Sequence, residues 1–134
     1  MTKHARILLL AVASLGLVLA AVAQAHPSRV AATVSVTAGK PSEFGFKLST
    51  KTVPHGSVTF TVTNSGAIPH TFKLCSKSST SAAALTCAGK ATPLISPGAK
   101  ATLKVTIAKA GTYEYLCTVA GHAAGGMKGL LKVT

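Results

Sequence analysis

The amino-acid sequence predicts an all-β fold, a sandwich or barrel of short strands, on three observations. Beyond residue 25, apolar side chains alternate with polar ones instead of recurring at helical spacing. Glycine, proline and asparagine turn signals break this alternation at intervals of about eight to twelve residues. The only helix-tolerant stretch, Ser79 to Leu85, is too short and too rich in serine to hold a helix alone.

The strands follow in chain order. Val34/Val36 ends at the turn Ala38-Gly39-Lys40-Pro41, and Phe44/Phe46/Leu48 ends before Val53-Pro54-His55-Gly56. Val58/Phe60/Val62 leads into Asn64-Ser65-Gly66, and Thr71 to Leu74 form a strand after Pro69-His70. Ser96-Pro97-Gly98 precedes Leu103/Val105/Ile107, Ala110-Gly111 precedes Tyr113/Tyr115/Cys117, and a last strand runs from Met127 to Thr134. Each pattern supplies one apolar face and one polar face, as a half-buried strand requires.

Ahead of this region, Ile7 to Ala23 is an unbroken run of apolar and small residues, with Lys3 and Arg6 before it and Ala23-Gln24-Ala25 at its end. That is the pattern of a secretory signal peptide. The expected organisation is a signal over 1–25 and one domain over 26–134, exported to the periplasm or the cell exterior. The 109 residues that remain suffice for one core and exclude a large multidomain enzyme. An uncleaved run would instead tether the chain to a membrane.

Of the 14 lysines and arginines, Lys3 and Arg6 leave with the signal; the two glutamates, Glu43 and Glu114, then bring the mature charge to +10, and there is no aspartate. The lysines are scattered singly, with no basic run and no nucleic-acid-binding motif, so nucleic acid is not an expected partner. Such a charge solvates the surface and suits docking onto an acidic partner or anionic surface.

Three cysteines leave one unpaired in an oxidising compartment. Cys75 and Cys87 flank a polar segment with little apolar surface to pin it, where a disulfide would stabilise most; two free thiols or an accessory metal site are the alternatives. Cys117 is then left, and His122 and Met127 follow it at five-residue intervals through almost wholly small residues. Thiolate, imidazole and thioether are the donors that copper prefers. Singly, each is an ordinary core or solvated residue; a trigonal copper site needs a second imidazole from elsewhere in the sheet. His70 meets that need, because Pro69 fixes the backbone ahead of it and Asn64-Ser65-Gly66 turns the chain.

Asn64-x-Gly66-x-x-Pro69-His70, Gly111-x-Tyr113-x-Tyr115-x-Cys117, Cys117-x4-His122-x4-Met127 and Gly129-Leu130-Leu131-Lys132-Val133 together resemble the cupredoxins, the type 1 blue copper proteins of the plastocyanin/azurin family. The cysteine loop is most similar to that of the rusticyanin, auracyanin and sulfocyanin branch. The resemblance implies a Greek-key β-sandwich of about seven to eight strands. It also implies one type 1 copper ion held by His70, Cys117, His122 and Met127, with the outer edge of His122 as the electron port. Thr71 follows His70 where several relatives have asparagine, which leaves a side-chain bridge to the cysteine loop unsupported by the resemblance.

The implied function is a monomeric one-electron carrier for redox protein partners, not an enzyme. Ala67, Ile68, Pro69, Ala120, Ala123, Ala124, Gly125 and Gly126 would form an apolar patch around His122, with Lys73 and Lys128 at its rim. The alternative is a copper carrier or storage protein that hands its metal on, for which His26, at the new amino terminus, could chelate Cu(II). His55, in a Pro-His-Gly turn, is expected to be a solvated loop residue.

Overall fold

The computed structural model describes residues 31–134; the signal-like run and His26 lie outside the described residues. Among the described residues there are nine strands: β1 (Ala32–Ala38), β2 (Phe46–Leu48), β3 (Thr52–Val53), β4 (Gly56–Asn64), β5 (Lys73–Ser78), β6 (Gly89–Ala91), β7 (Lys100–Ile107), β8 (Gly111–Leu116) and β9 (Lys128–Val133). They form a four-stranded sheet in the order β2-β1-β4-β7 and a five-stranded sheet in the order β3-β9-β8-β5-β6. Among the described residues there is no helix, so Ser79 to Leu85 is irregular chain.

Alternation becomes packing directly. Val34 and Val36 of β1, Val58, Phe60 and Val62 of β4, and Leu103, Val105 and Ile107 of β7 turn inward from one sheet. Leu74, Tyr113, Tyr115, Leu131 and Val133 meet them from the other. Phe72 is the centre of this core, with ring centroids 5.2 Å from Phe46, 5.1 Å from Phe60 and 5.5 Å from Tyr115. Fully burying such a ring stabilises the fold by about 1.5–3 kcal/mol. Because Phe72 stands two residues after His70, the core also anchors the chain that carries this histidine.

The two strands that alternation does not mark are β3 and β6, edge strands too short to show any periodicity. The strand expected from Thr71 starts at Lys73, because Thr71 and Phe72 are used otherwise: the Phe72 amide donates to Oγ1 of Thr92 and His70 bridges Ile95. Cys75 and Cys87 form a disulfide, with Cα atoms 5.6 Å apart, tying β5 to the irregular segment after it.

Register in the five-stranded sheet aligns three strand ends. Lys73 pairs with Leu116, and Leu116 with Lys128, so the start of β5, the end of β8 and the start of β9 lie side by side. His70, Cys117 and Met127 stand just beyond those three points and therefore emerge at one end of the sandwich.

Candidate metal centre

His70 is the end of a turn that sequence and hydrogen bonding both dictate. Asn64 closes β4 and is fully buried; its side-chain oxygen accepts from the Gly66 amide, and its side-chain nitrogen donates to the carbonyls of Ile68 and Ile95, each at 2.8 Å. The His70 amide donates to the Ile95 carbonyl and the Ile95 amide donates back. Both segments are thus fixed on either side of a buried imidazole.

The second segment is the loop from Cys117 to Met127. The Cys117 amide donates to the Met127 carbonyl, and the Met127 amide to the His122 carbonyl, so the loop closes on itself. Gly121 and Gly126, with φ of 82° and 104°, allow the tight reversals that residues bearing a Cβ would resist. Met127 is fully buried at the base of this loop.

The two segments bring their donors together. Among the described residues, His70, Cys117 and His122 are the group whose ligand atoms all lie within 4.8 Å of one another, and all three are buried. Nδ1 of His70 is 3.2 Å from Nδ1 of His122, and Sγ of Cys117 is 3.5 Å from Nδ1 of His122. Donors standing about 2.0–2.3 Å from one ion are separated by distances of this kind. Two imidazoles and a thiol around one point, with a thioether in the same loop, fit copper.

Hydrogen bonds reach the sulfur as well. The Thr71 amide donates to Sγ of Cys117 at 3.4 Å, and the Thr71 hydroxyl lies 3.6 Å from it. The same hydroxyl accepts from the Thr118 amide at 2.8 Å and pairs with the Thr118 hydroxyl. The side-chain bridge left unsupported by the resemblance is therefore present, with threonine making it.

Glu43 and Phe44 complete the surroundings, and neither was singled out from the sequence as a site residue. Oε1 of Glu43 lies 2.8 Å from Nε2 of His70. The Ala67 and Ile68 amides also donate to this carboxylate. The Ala67 amide first, then the His70 ring, hold the Glu43 carboxyl below the usual carboxylate range. The Phe44 ring lies against His122 at 4.9 Å between centroids. His122 is only 7% exposed, where the resemblance implied an open edge. Desolvation by this cover, followed by the electrostatic influence of the neighbouring His70 ring, pushes the His122 imidazole below the usual histidine range, with Glu43 acting in the opposite sense.

Around His122, Ala67, Ile68, Pro69, Ala120, Ala124, Gly125 and Gly126 are accessible, but Ala123 is buried. Lys73 and Lys128 are half-buried, and Nζ of Lys128 donates to the Ala83 carbonyl. His55, far from this end in the chain, is exposed, with Nδ1 3.0 Å from the Thr134 carbonyl oxygen.

A sequence profile of copper binding proteins of the plastocyanin/azurin family matches residues 32–134. The chain belongs to this family. Its cofactor is copper, in a site of type 1 donor composition. Solved structures of other cupredoxins share the fold: dithionite-reduced auracyanin from Roseiflexus castenholzii is 25% identical with a TM-score of 0.58, covering 78% of this chain and 96% of that one. Rusticyanin from Thiobacillus ferrooxidans is 28% identical with a TM-score of 0.54, covering 78% of this chain and 77% of that one. Auracyanin A from Chloroflexus aurantiacus, described as a "blue" copper protein, is 24% identical with a TM-score of 0.59, covering 78% of this chain and 100% of that one. No curated protein sequence matches. Family and donor set support a blue copper electron carrier.

Proposed function

We propose that this cupredoxin is an exported, monomeric one-electron carrier in which His70, Cys117, His122 and Met127 would hold a single copper ion. The convergence of two imidazoles and a thiol, with His122 lying 52 residues beyond His70 in sequence and all three buried, is the observation that carries this reading. Copper bound there would cycle between Cu(I) and Cu(II) by gaining and losing one electron.

The residues divide the remaining work. The Thr71 amide and hydroxyl stabilise a thiolate at Cys117. Asn64, Phe72 and the disulfide hold the surrounding chain in one geometry, so little has to move when the charge of the site changes. Phe44 and the small residues of the cysteine loop exclude water from His122 while leaving a thin apolar wall for close contact with a partner.

The cysteine-free, apolar run over 7–23 supports export, with the mature domain beginning near residue 26. Among the described residues, no helix is long and apolar enough to cross a membrane. An acidic redox partner is supported by the charges left free. Glu43 is one-third exposed and engaged by amides and His70, and Glu114 is 2% exposed, so the most exposed charged side chains of the described domain are lysines.

Burial of the donors favours retention of metal over handover. The test is voltammetry of the copper-loaded mature chain with excess chelator present. A reversible one-electron wave that persists through repeated cycles is expected; loss of copper to the chelator after reduction would instead favour the copper-carrier function.

A further inference from the structure

Glu43 precedes His70 by 27 residues and belongs to no ligand motif, yet it makes the closest polar contact with this buried ring. We propose, building on the copper reading above, that Glu43 is the positioning residue of the metal centre. Its carboxylate accepts the Nε2 proton of His70, commits that ring to presenting a bare Nδ1 toward Cys117 and His122, and places a negative charge that favours the oxidised metal.

An ionised carboxylate only accepts hydrogen bonds, so the 2.8 Å contact requires the proton to be on Nε2. A neutral imidazole carries one N–H, which leaves Nδ1 as a lone pair. Nδ1 is the atom that faces the cluster, at 3.2 Å from Nδ1 of His122. The contact fixes the tautomer and the ring orientation together.

The carboxylate is itself held. The Ala67 amide donates to both of its oxygens, at 3.1 and 2.9 Å, and the Ile68 amide to Oε1 at 3.3 Å. These amides belong to the turn that delivers His70, so Glu43 locks the turn and the ring at once. Gly66 makes the room: a Cβ at that position would run into Oε1 of Glu43 and lie 2.8 Å from Nε2 of His70. In a chain with two carboxylates, one is committed to a copper ligand.

Nitrogen-15 NMR of the metal-free mature chain tests the positioning directly, and the reduction potential of the copper form tests the charge. The wild type is expected to show His70 protonated on Nε2. Glu43→Gln keeps an oxygen acceptor and should retain that tautomer, but its potential should rise. Glu43→Ala should lose the single tautomer, shift the potential upward, and bind copper about 10–100-fold more weakly in competition with a chelator. His70 protonated on Nδ1 in the wild type, or an unchanged tautomer in Glu43→Ala, would overturn the positioning role; an unchanged potential in Glu43→Gln would overturn the charge effect. Where Glu43→Ala fails to fold, the wild-type tautomer and Glu43→Gln decide. A wild type that takes up Cu(II) without colour would refute the type 1 reading alone, because the metal-free tautomer is measured independently.

Discussion

In the four-stranded sheet, β1 pairs with β4 through seven positions and β4 with β7 through eight, without a break. The five-stranded sheet has two- and three-residue edges in β3 and β6, and its register shifts between Leu74 and Ser78. Every proposed copper ligand adjoins the irregular sheet. The regular sheet contributes inward valines, Phe60, Leu103 and Ile107, and its strands donate no ligand. Three continuously paired strands, β1, β4 and β7, let the facing layer give up regularity at one end, where loops must bend to bring donors together. Asn64 is the point where the regular sheet reaches across, since its side chain ties the end of β4 to the turn before His70.

The sharpest way to break this division is to weaken the regular sheet far from the donors. Ile107 lies at the end of β7 opposite that which pairs near Asn64, and it is 5% exposed. Ile107→Ala should cost about 2–5 kcal/mol in denaturant unfolding, while the visible spectrum of the folded copper form stays unchanged. A spectral shift would mean that the frame and the site are not separable.

Removing the disulfide tests the irregular sheet in the same manner. With its ends at a sequence separation of 12, the disulfide should be worth about 3 kcal/mol when Cys75 and Cys87 are replaced by alanine, read by thermal or urea unfolding. The smallest stability effect, with the largest spectroscopic consequence of the three, is expected at Asn64. Asn64→Ala strands the Gly66 amide and the Ile68 carbonyl, costing about 1–3 kcal/mol. It should also shift the copper absorption, because the turn that presents His70 loosens. An unshifted spectrum would show that Phe72 and Ile95 alone hold the ring.

The regular half was the more legible in sequence. β1, β4 and β7 each bury alternate residues over long stretches, so periodicity finds them. Edge strands of two or three residues carry no period, and the start of β5 moved because Thr71 and Phe72 satisfy side-chain partners instead of a neighbouring strand. At the site, Cys117, His122 and Met127 could be read because they share one short loop, and His70 because Pro69 and the asparagine turn mark it. Glu43 could not: its contact spans 27 residues and depends on Gly66 having no side chain. Phe44 reads as a strand position by alternation, but it leaves the sheet to cover His122. Its large exposed ring, 41% accessible beside a glycine-rich loop, became informative only in three dimensions.

The central claim is that His70, Cys117 and His122 close on one copper ion. Its most direct test is titration of the mature chain with Cu(II), followed by visible absorption and paramagnetic resonance, beside Cys117→Ser. An intense thiolate-to-copper band that saturates at one equivalent and vanishes in Cys117→Ser is the predicted result. A wild type that stays colourless, or a band that survives the loss of the thiol, would contradict it.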